Sequence, residues 1–230
     1  MLTFDGLVLR QGSFLLTADI TLAKEQITAF IGPSGAGKST LLAAIAGFLA
    51  AESGRILWDS IDLTDVSPGA RPISMLFQDN NLFPHLTAAQ NVGLGLRPDL
   101  RLSATEKKVV EAALNDVGLT GFGDRKPGAL SGGQQSRVAL ARVLVADRPL
   151  VLLDEPFAAL GPALKDEMLD LVKTKLMAGG KTVIMVTHDP ADARRIADQA
   201  ALVADGRVAE PMPTQMLLDN PPPSLAAYLG

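Results

Sequence analysis

The feature that most constrains the fold is a glycine-rich segment at residues 32–39, which stands between a strand-like run and a helix-like run. The segment reads Gly-Pro-Ser-Gly-Ala-Gly-Lys-Ser. It follows the β-rich run 27–31, and a helix is predicted over 40–49. Glycines allow backbone N–H groups to wrap around an anion, and the dipole of the following helix adds positive potential. This order predicts a phosphate-binding loop in an α/β fold rather than an incidental turn.

The residues predicted to bind a nucleotide through this phosphate loop are Gly32, Pro33, Ser34, Gly35, Ala36, Gly37, Lys38, Ser39 and Thr40. The Lys38 ammonium is long enough to reach the β- and γ-phosphates of the nucleotide. The Ser39 hydroxyl is an oxygen ligand that suits Mg²⁺. The sequence therefore predicts a site for a nucleotide together with Mg²⁺.

Two carboxylates, Asp154 and Glu155, follow the apolar run 150–153. A continuous apolar run is typical of a strand that is covered on both faces. At the carboxyl end of this strand, Asp154 is predicted to hold Mg²⁺ directly or through water, and Glu155 to face the attacking water as general base or orienter. An acidic pair alone would indicate only a solvated loop, but the phosphate loop in the same chain favours the catalytic interpretation.

A third segment, Leu130-Ser131-Gly132-Gly133-Gln134, is called the signature segment here; it combines a hydroxyl, two glycines and the predicted start of a helix. Ser131 can cap that helix, and the helix N-terminus makes the segment a second anion site. If the two anion sites lie on separate subdomains, one chain does not readily fold both onto one γ-phosphate. A two-fold dimer, in which Ser131, Gly132, Gly133 and Gln134 meet the ATP of the other copy, solves this. A plain helix N-cap is the alternative.

Two further polar residues end predicted strands. Gln78 follows an apolar strand, and its amide is predicted to reach Mg²⁺ or the attacking water, although a surface glutamine is the plainer interpretation of that residue alone. His188 ends the strand predicted over 182–187. Because this strand comes next after the Asp154 strand, the His188 imidazole is predicted to reach a γ-phosphate. His85 is interpreted as a loop residue.

Strands and helices alternate along the chain, which predicts a mostly parallel sheet. A capping box at Ser103 opens a helix, and Asp205-Gly206 is a hairpin signal. The region 79–135 is richer in helix and loop signals than its flanks. We predict a single domain over 1–230, in which 1–78 and 136–210 form a catalytic core with a β subdomain. Residues 79–135 form an inserted helical subdomain, and 211–230 form a tail of loop plus one short helix.

In this order and spacing, the motifs at 32–39, 130–134 and 150–155 resemble those of the ATP-binding subunits of ABC transporters across nearly the whole chain. The runs 75–87 and 90–98 resemble the thiamine importer ATPases more closely, and they are similar to those of other importers too. The resemblance implies a P-loop NTPase core of the ABC ATPase type. This core has a mostly parallel sheet, an antiparallel β subdomain and an inserted helical subdomain.

The same resemblance implies an activity and a set of partners. Two identical copies would pair head to tail around ATP and Mg²⁺, and hydrolysis would drive uptake, with thiamine and its phosphates as the expected cargo. Ferric iron, sulfate and molybdate are the alternative cargoes. Integral membrane permease subunits would receive the dimer in a groove formed by segment 78–97, at the cytoplasmic face of the bacterial inner membrane. A periplasmic substrate-binding protein would act indirectly.

Three positions depart from the pattern of this family. The family stacks an aromatic residue on adenine where this chain has Gln11, which leaves Phe14 nearby and Arg10 as a substitute stacking residue. Gly161 stands where the family has an aspartate that reaches across the dimer, and its absence predicts weaker coupling between the two sites. Ser60 stands at a turn position where the family has glycine, so a positive φ there would strain the turn.

Composition narrows the classes of function. The 230 residues carry a net charge of −4 and contain no cysteine, which excludes disulfides and cysteine metal sites. The acidic balance argues against nucleic acid as a partner, and therefore against a soluble ABC ATPase that acts on nucleic acid or ribosomes. A phosphate-loop nucleotide kinase would not need the signature segment.

The longest mostly apolar run, 41–51, is shorter than the roughly 20 residues of a membrane helix, so we expect membrane association to need a partner.

Overall fold

An eleven-stranded mixed sheet frames the molecule in a computed structural model that describes the backbone of residues 1–229 and the side chains of residues 1–226. The strands in chain order are β1 (Leu2–Gln11), β2 (Phe14–Leu22), β3 (Ile27–Ile31), β4 (Ser53–Trp58), β5 (Ile61–Asp62), β6 (Ile73–Leu76), β7 (Leu150–Asp154), β8 (Thr182–Val186), β9 (Gln199–Ala204), β10 (Arg207–Val208) and β11 (Met212–Pro213). Across the sheet the order is β5-β4-β1-β2-β10-β9-β3-β8-β7-β6, and β11 pairs with β9 outside this path.

The half of the sheet from β9 to β6 is parallel, and it carries the predicted motifs. Every residue of β3, β7 and β8 is buried, as expected of strands that are covered on both faces. Side chains alternate between two apolar cores, since Ile27, Ala29 and Ile31 belong to one cluster and Phe30 to the other. The predicted strands at 27–31, 150–153 and 182–187 are confirmed, although β8 ends one residue early.

Helices cover both faces of this parallel half. They are α1 (Lys38–Ala46), α2 (Ala88–Gly93), α3 (Ala104–Asp116), α4 (Gly132–Val145), α5 (Pro162–Ala178), α6 (Pro190–Ile196), α7 (Thr214–Asp219) and α8 (Pro223–Leu229). The predicted bounds of α1, 40–49, are wrong at both ends. The helix begins at Lys38, directly after Gly37, and Gly47 ends it with a left-handed φ of 88°. In the described part of the tail, α7 and α8 stand where one short helix is predicted.

Capping boxes fix the starts of α3 and α4. The sequence predicts the capping box at Ser103, and at Ser131 it predicts a helix cap. Ser103 Oγ accepts from the Glu106 N–H at 3.2 Å, and Glu106 Oε2 accepts from the Ser103 N–H at 2.8 Å. Ser131 Oγ accepts from the Gln134 N–H at 3.3 Å, and Gln134 Oε1 accepts from the Ser131 N–H at 2.9 Å. The signature segment therefore lies at a well-defined helix N-terminus.

Two hairpins turn through pairs of residues with positive φ, the geometry of a type I′ turn. Asp205 and Gly206, with φ of 50° and 69°, join β9 to β10, so this predicted hairpin is confirmed. Asp59 and Ser60, with φ of 49° and 67°, join β4 to β5. The positive φ at Ser60 means that this turn carries the conformational cost of a side chain where glycine is favoured.

Helices α2, α3 and α4 pack on one another between β6 and β7 in the chain. A division of the chain between residues 135 and 136 would cut α4, which is continuous from Gly132 to Val145. A cleft of about 580 Å³ opens among α2, α3 and the segment 119–124. Within residues 1–229, no helix combines the length and the apolar composition that crossing a membrane requires.

Candidate functional site

The phosphate loop folds tightly at its glycines. Gly32, Gly35 and Gly37 have φ of 147°, 78° and 98°. A Cβ at Gly32 would lie 2.1 Å from the Val203 carbonyl oxygen, and a Cβ at Gly37 would lie 2.5 Å from Phe14 Cζ. Only glycine fits at these two positions, so the loop presents backbone at the N-terminus of α1, as phosphate binding requires.

The Lys38 side chain is buried beneath this loop. Its Nζ donates to the carbonyl oxygens of Gly32 at 2.7 Å and Pro33 at 2.8 Å. Burial lowers the pKa of the ammonium, while the charges of Glu155 and Asp154 oppose that effect. The ammonium is thus held at the loop on neutral carbonyl oxygens, which a phosphate oxygen can replace as a stronger acceptor.

Ser39 and Asp154 bring two oxygen ligands together. Ser39 Oγ donates to Asp154 Oδ1 at 3.0 Å, which joins the first turn of α1 to the end of β7. Burial raises the pKa of the Asp154 carboxyl, and the Ser39 hydrogen bond opposes this. Mg²⁺ prefers such hard oxygens. The Ser39 hydroxyl and the Asp154 carboxylate are therefore two adjacent ligands of the kind that suits Mg²⁺.

Glu155, directly after Asp154, is held in a strained backbone conformation. Its φ is 45°, a value that costs free energy in a residue with a side chain. The Glu155 N–H donates to the Val186 carbonyl oxygen at 3.0 Å, so the adjacent strand β8 fixes this conformation. Glu155 Oε2 lies 3.1 Å from His188 Nδ1. The structure therefore brings together the predicted general base and the predicted γ-phosphate histidine.

A cleft of about 330 Å³ lies over the phosphate loop. Its described lining residues are Gln11, Phe14, Ser34, Gly35, Gly37, Lys38, Ser39, Thr40 and Glu155. A second cleft, of about 370 Å³, is lined by Glu155 and His188 among others. Glu155 therefore lines both clefts, and His188 lines the second.

Gln78 lies just beyond β6, which ends at Leu76 and runs parallel to β7. The carboxyl ends of neighbouring parallel strands meet at one edge of a sheet, so Gln78 shares an edge with Asp154 and Glu155. Its side chain is exposed and does not belong to the described lining of either cleft. The structure thus brings the backbone of Gln78 to the site edge, and the side chain remains in solvent.

Arg142 of α4 holds the loop after Gln78, a contact that sequence reasoning misses. Its guanidinium donates to the carbonyl oxygens of Asn81 at 2.9 Å and Asn80 at 3.0 Å. Both asparagines have positive φ, of 43° and 62°. Burial lowers the pKa of the Arg142 guanidinium. Because the acceptors are backbone carbonyls, no partner side chain marks this contact in the sequence.

The signature segment does not contribute to the described lining of the cleft over the phosphate loop of its own chain. Ser131 and Gly132 are exposed. Gly133 packs on the loop after Glu155, where a Cβ at Gly133 would lie 2.8 Å from Leu160 Cδ2. Ser131, Gly132, Gly133 and Gln134 are absent from the described lining of the cleft over the phosphate loop.

Gln11 and Phe14 form the outer part of the cleft over the phosphate loop. Gln11 Oε1 lies 3.5 Å from Thr40 Oγ1, and the edge of the Phe14 ring lies close to the backbone of the loop. Arg10 instead pairs with Glu52, through Nη2 and Oε1 at 3.2 Å, and does not belong to the described lining. Gln11 and Phe14 therefore line the cleft, whereas Arg10 is paired with Glu52, and the stacking role of Arg10 stays a prediction.

Comparison with known proteins relates this geometry to a family. The model of the ABC transporter family matches residues 15–158. The chain is 59% identical over 230 residues to the thiamine import ATP-binding protein ThiQ of Ruegeria sp. (strain TM1040), and 60% identical over 230 residues to that of Cereibacter sphaeroides, with 100% of each chain covered. It is 51% identical over 211 residues to an Escherichia coli protein of the same name, covering 92% of this chain and 90% of the relative.

Solved structures show the same fold. A dimeric ATP-binding cassette in a post-hydrolysis state, bound to ADP and Pi, matches with a TM-score of 0.83 at 31% identity, covering 93% of this chain and 99% of that chain. A nucleotide-free ATP-binding cassette from an ABC transporter matches with a TM-score of 0.85 at 26% identity, covering 100% and 99%. The predicted α/β fold of a P-loop NTPase is confirmed. This chain belongs to the ABC transporter family and is one of its ATP-binding ATPases.

Proposed function

We propose that this chain is the ATP-hydrolysing subunit of a bacterial importer, and that the cargo is thiamine and its phosphates. The observation that carries the cargo is the identity of 59% and 60%, over the full length, to two thiamine import ATP-binding proteins. Hydrolysis is supported by the contact of Ser39 with Asp154 and by the pairing of Glu155 with His188 at the same sheet edge.

In this proposal the loop of residues 32–40 and the Lys38 ammonium bind the β- and γ-phosphates. Ser39 and Asp154 hold Mg²⁺, with the Gln78 amide as a further ligand. When bound, Mg²⁺ neutralises negative charge that builds up on the phosphate oxygens during transfer. Glu155 orients the attacking water or accepts its proton, and His188 contacts the γ-phosphate. The hydrogen bond between Glu155 and His188 keeps the carboxylate and the imidazole together at the reacting group.

A second copy of the chain would complete each site. We infer that Ser131, Gly132, Gly133 and Gln134 contact the ATP held by the partner in a head-to-tail homodimer. The exposure of Ser131 and Gly132 supports this pairing, and dimers are known among solved ATP-binding cassettes of the same fold. Each ATP would then lie between two chains, so that its binding draws them together and its hydrolysis releases them.

The dimer is proposed to dock on integral membrane permease subunits as a peripheral protein at the cytoplasmic face of the bacterial inner membrane. A periplasmic substrate-binding protein would act through those permeases. The groove formed by segment 78–97 is supported by the cleft of about 580 Å³, to which Thr87, Ala89 and Gln90 contribute.

Residues 79–135 would serve as the helical subdomain, with 1–78 and 136–210 as the core. The net charge of −4 supports the absence of a nucleic-acid partner.

Replacement of Glu155 tests hydrolysis. Glu155→Gln keeps the shape of the side chain and removes its basicity, so kcat is expected to fall by about 10²- to 10⁴-fold while ATP binding is retained. Phosphate release and nucleotide affinity are measured on the same preparation. Glu167→Gln, an exposed position on α5, is the matched control and should turn over as the unmodified chain does. Normal hydrolysis by Glu155→Gln would contradict the role of this residue.

The cargo requires the native membrane complex. We expect the chain to copurify with integral membrane subunits from its source and, after reconstitution, to drive ATP-dependent uptake of thiamine or its phosphates. Ferric iron, sulfate and molybdate are tested in parallel, each with its binding protein. Uptake of one of these in place of thiamine would contradict the proposed cargo and leave the ATPase assignment intact. If the chain is purified from its source without any integral membrane protein, the assignment as an importer subunit is contradicted.

A further inference from the structure

A lysine on α5 bridges the second cleft, which opens between the first turn of α5 and the segment 187–192. Lys165 lies in that first turn. Its Nζ lies 2.5 Å from Asp189 Oδ2 and 2.6 Å from Asp192 Oδ1. The two carboxylates belong to the segment that begins α6, directly after His188. Lys165 therefore joins α5 to the part of the backbone that carries the histidine.

The partners of Lys165 are themselves fixed by hydrogen bonds. Thr187 Oγ1 donates to Asp192 Oδ2 at 3.1 Å, and the Asp189 N–H donates to Thr187 Oγ1 at 3.0 Å. Asp189 Oδ1 accepts from the Ala191 N–H at 2.9 Å and so caps α6. Residues on both sides of His188 thus form one connected network, and the Lys165 ammonium attaches that network to α5.

Burial distinguishes the ion pair of Lys165 with Asp192 from an ordinary surface pair. The side chains of Lys165 and Asp192 are 19% and 13% exposed, whereas Lys175 and Asp116, another pair that involves α5, are 46% and 38% exposed. Burial lowers the pKa of Lys165, but its hydrogen bonds to Asp189 and Asp192 outweigh burial and raise it. The Lys165 hydrogen bond holds the pKa of Asp189 below its usual range. Lys165 and Asp189 are therefore both charged at neutral pH.

We propose that Lys165 is a positioning residue for ATP hydrolysis, which keeps His188 against Glu155 through Asp189 and Asp192. The inference rests on the proposed function, because it assumes that Glu155 and His188 act on the γ-phosphate and its attacking water. The His188 Nδ1 to Glu155 Oε2 distance of 3.1 Å lies near the upper end of the range for a hydrogen bond. A displacement of about 1 Å would break this contact, and misplacement on that scale costs up to about a hundredfold in rate.

Two substitutions of Lys165 separate charge from size. Lys165→Met keeps the length of the side chain and removes its charge, whereas Lys165→Arg keeps the charge. In the full chain, Lys165→Met is expected to lower kcat about tenfold and to leave KM for ATP within about twofold, because a positioning residue supports turnover rather than substrate binding. The Arg variant is expected to retain most of the activity. Lys175→Met, on the same helix, is the control and should leave kcat and KM unchanged.

A double-mutant cycle with His188→Ala tests whether Lys165 acts through the histidine. If it does, Lys165→Met has no further effect on kcat once His188 is absent. The proposal is overturned if the fold reductions in kcat of the two single variants multiply in the double variant. It is also overturned if Lys165→Met has the kcat of the unmodified chain, or if Lys165→Arg does not retain turnover. Should Lys165→Met not fold, as judged by circular dichroism, Asp189→Asn is measured instead. It removes the charged partner, and the same loss of kcat at constant KM is expected.

The unmodified chain separates failure of this inference from failure of the proposed function. If the unmodified chain hydrolyses ATP and Lys165→Met matches it, Lys165 has no positioning role and the proposed function stands. If the unmodified chain hydrolyses no ATP, the proposed function fails and the inference fails with it.

Discussion

The phosphate loop and the signature segment are both glycine-rich turns at the start of a helix, but the chain surrounds them differently. Around the first, the chain is crowded, since a Cβ at Gly32 or Gly37 would collide with Val203 or Phe14. Around the second, only Gly133 is crowded, by Leu160, and a Cβ at Gly132 would meet nothing within 4 Å. Glycine is therefore required in the phosphate loop by the chain's own packing. At Gly132 it leaves space that is open to a group from outside.

The phosphate loop and the signature segment also differ in the charge of the side chains around them. The phosphate loop has Lys38 beneath it and the carboxylates of Asp154 and Glu155 beside it. The signature segment has a neutral capping box between Ser131 and Gln134. A nucleotide site that is assembled within one chain should bind ATP without a partner, whereas the signature segment should matter only when two chains meet. The three predictions that follow separate these two behaviours.

Loss of Lys38 should have the largest effect on binding by a single chain. Lys38→Met removes charge-assisted hydrogen bonds to phosphate, each worth about 1.5–3 kcal/mol, so ATP affinity is expected to fall about a hundredfold. Titration calorimetry of the chain at low concentration measures this. Lys24→Met is the control, because the exposed Lys24 ammonium lies 2.8 Å from Asp59 and away from the cleft. Equal affinity of both variants would show that the phosphate loop is not the nucleotide site.

Removal of the Ser131 hydroxyl should act on turnover and spare single-chain binding. Ser131→Ala is expected to lower kcat about tenfold, the effect of one lost hydrogen bond, and to lower stability by about 1 kcal/mol through the lost cap. Ser103→Ala removes an equivalent capping box from α3 and isolates the capping effect. It should cost similar stability, by chemical denaturation, with normal turnover. If both variants lose turnover equally, Ser131 is a helix cap and nothing more.

An aromatic ring at position 11 should produce the smallest effect. Gln11→Tyr places a ring on the outer lining of the cleft, where stacking of a base contributes about 1 kcal/mol or more. ATP binding is then expected to tighten about fivefold, and binding of inorganic tripolyphosphate, which has no base, should stay the same. Equal gains for both ligands would indicate that the substitution acts on the phosphate loop rather than on the base.

Local sequence signals were sufficient where one helix turn or one hairpin decides the structure. The caps at Ser103 and Ser131 each depend on a partner three residues away, and the turn at Asp205-Gly206 depends on two residues alone. The phosphate loop is predictable for the same reason. By contrast, the predicted bounds of α1 are wrong at the C-terminal end, because Gly47 ends the helix through a left-handed φ that apolar periodicity does not reveal.

Contacts between distant segments left no such signal. Lys165 contacts Asp189, which is 24 residues away along the sequence, and Arg142 contacts the Asn80 carbonyl, which is 62 residues away. A charged residue on a helix is ordinarily a solvated surface residue, and only the folded chain shows that Lys165 is partly buried against two carboxylates. Gln78 illustrates the same limit, since its position at the strand end is predictable and the exposure of its side chain is not.

The left-handed φ of Glu155 has a consequence for stability, because few residues other than glycine adopt this conformation without strain. A side chain in that region costs about 1 kcal/mol or more relative to glycine, which adopts it freely. Directed evolution that rewards thermal resistance alone would therefore favour glycine at residue 155. On the role proposed for Glu155, that variant would be more stable and would bind ATP without hydrolysing it, so a screen for stabilised variants of this protein has to measure turnover as well.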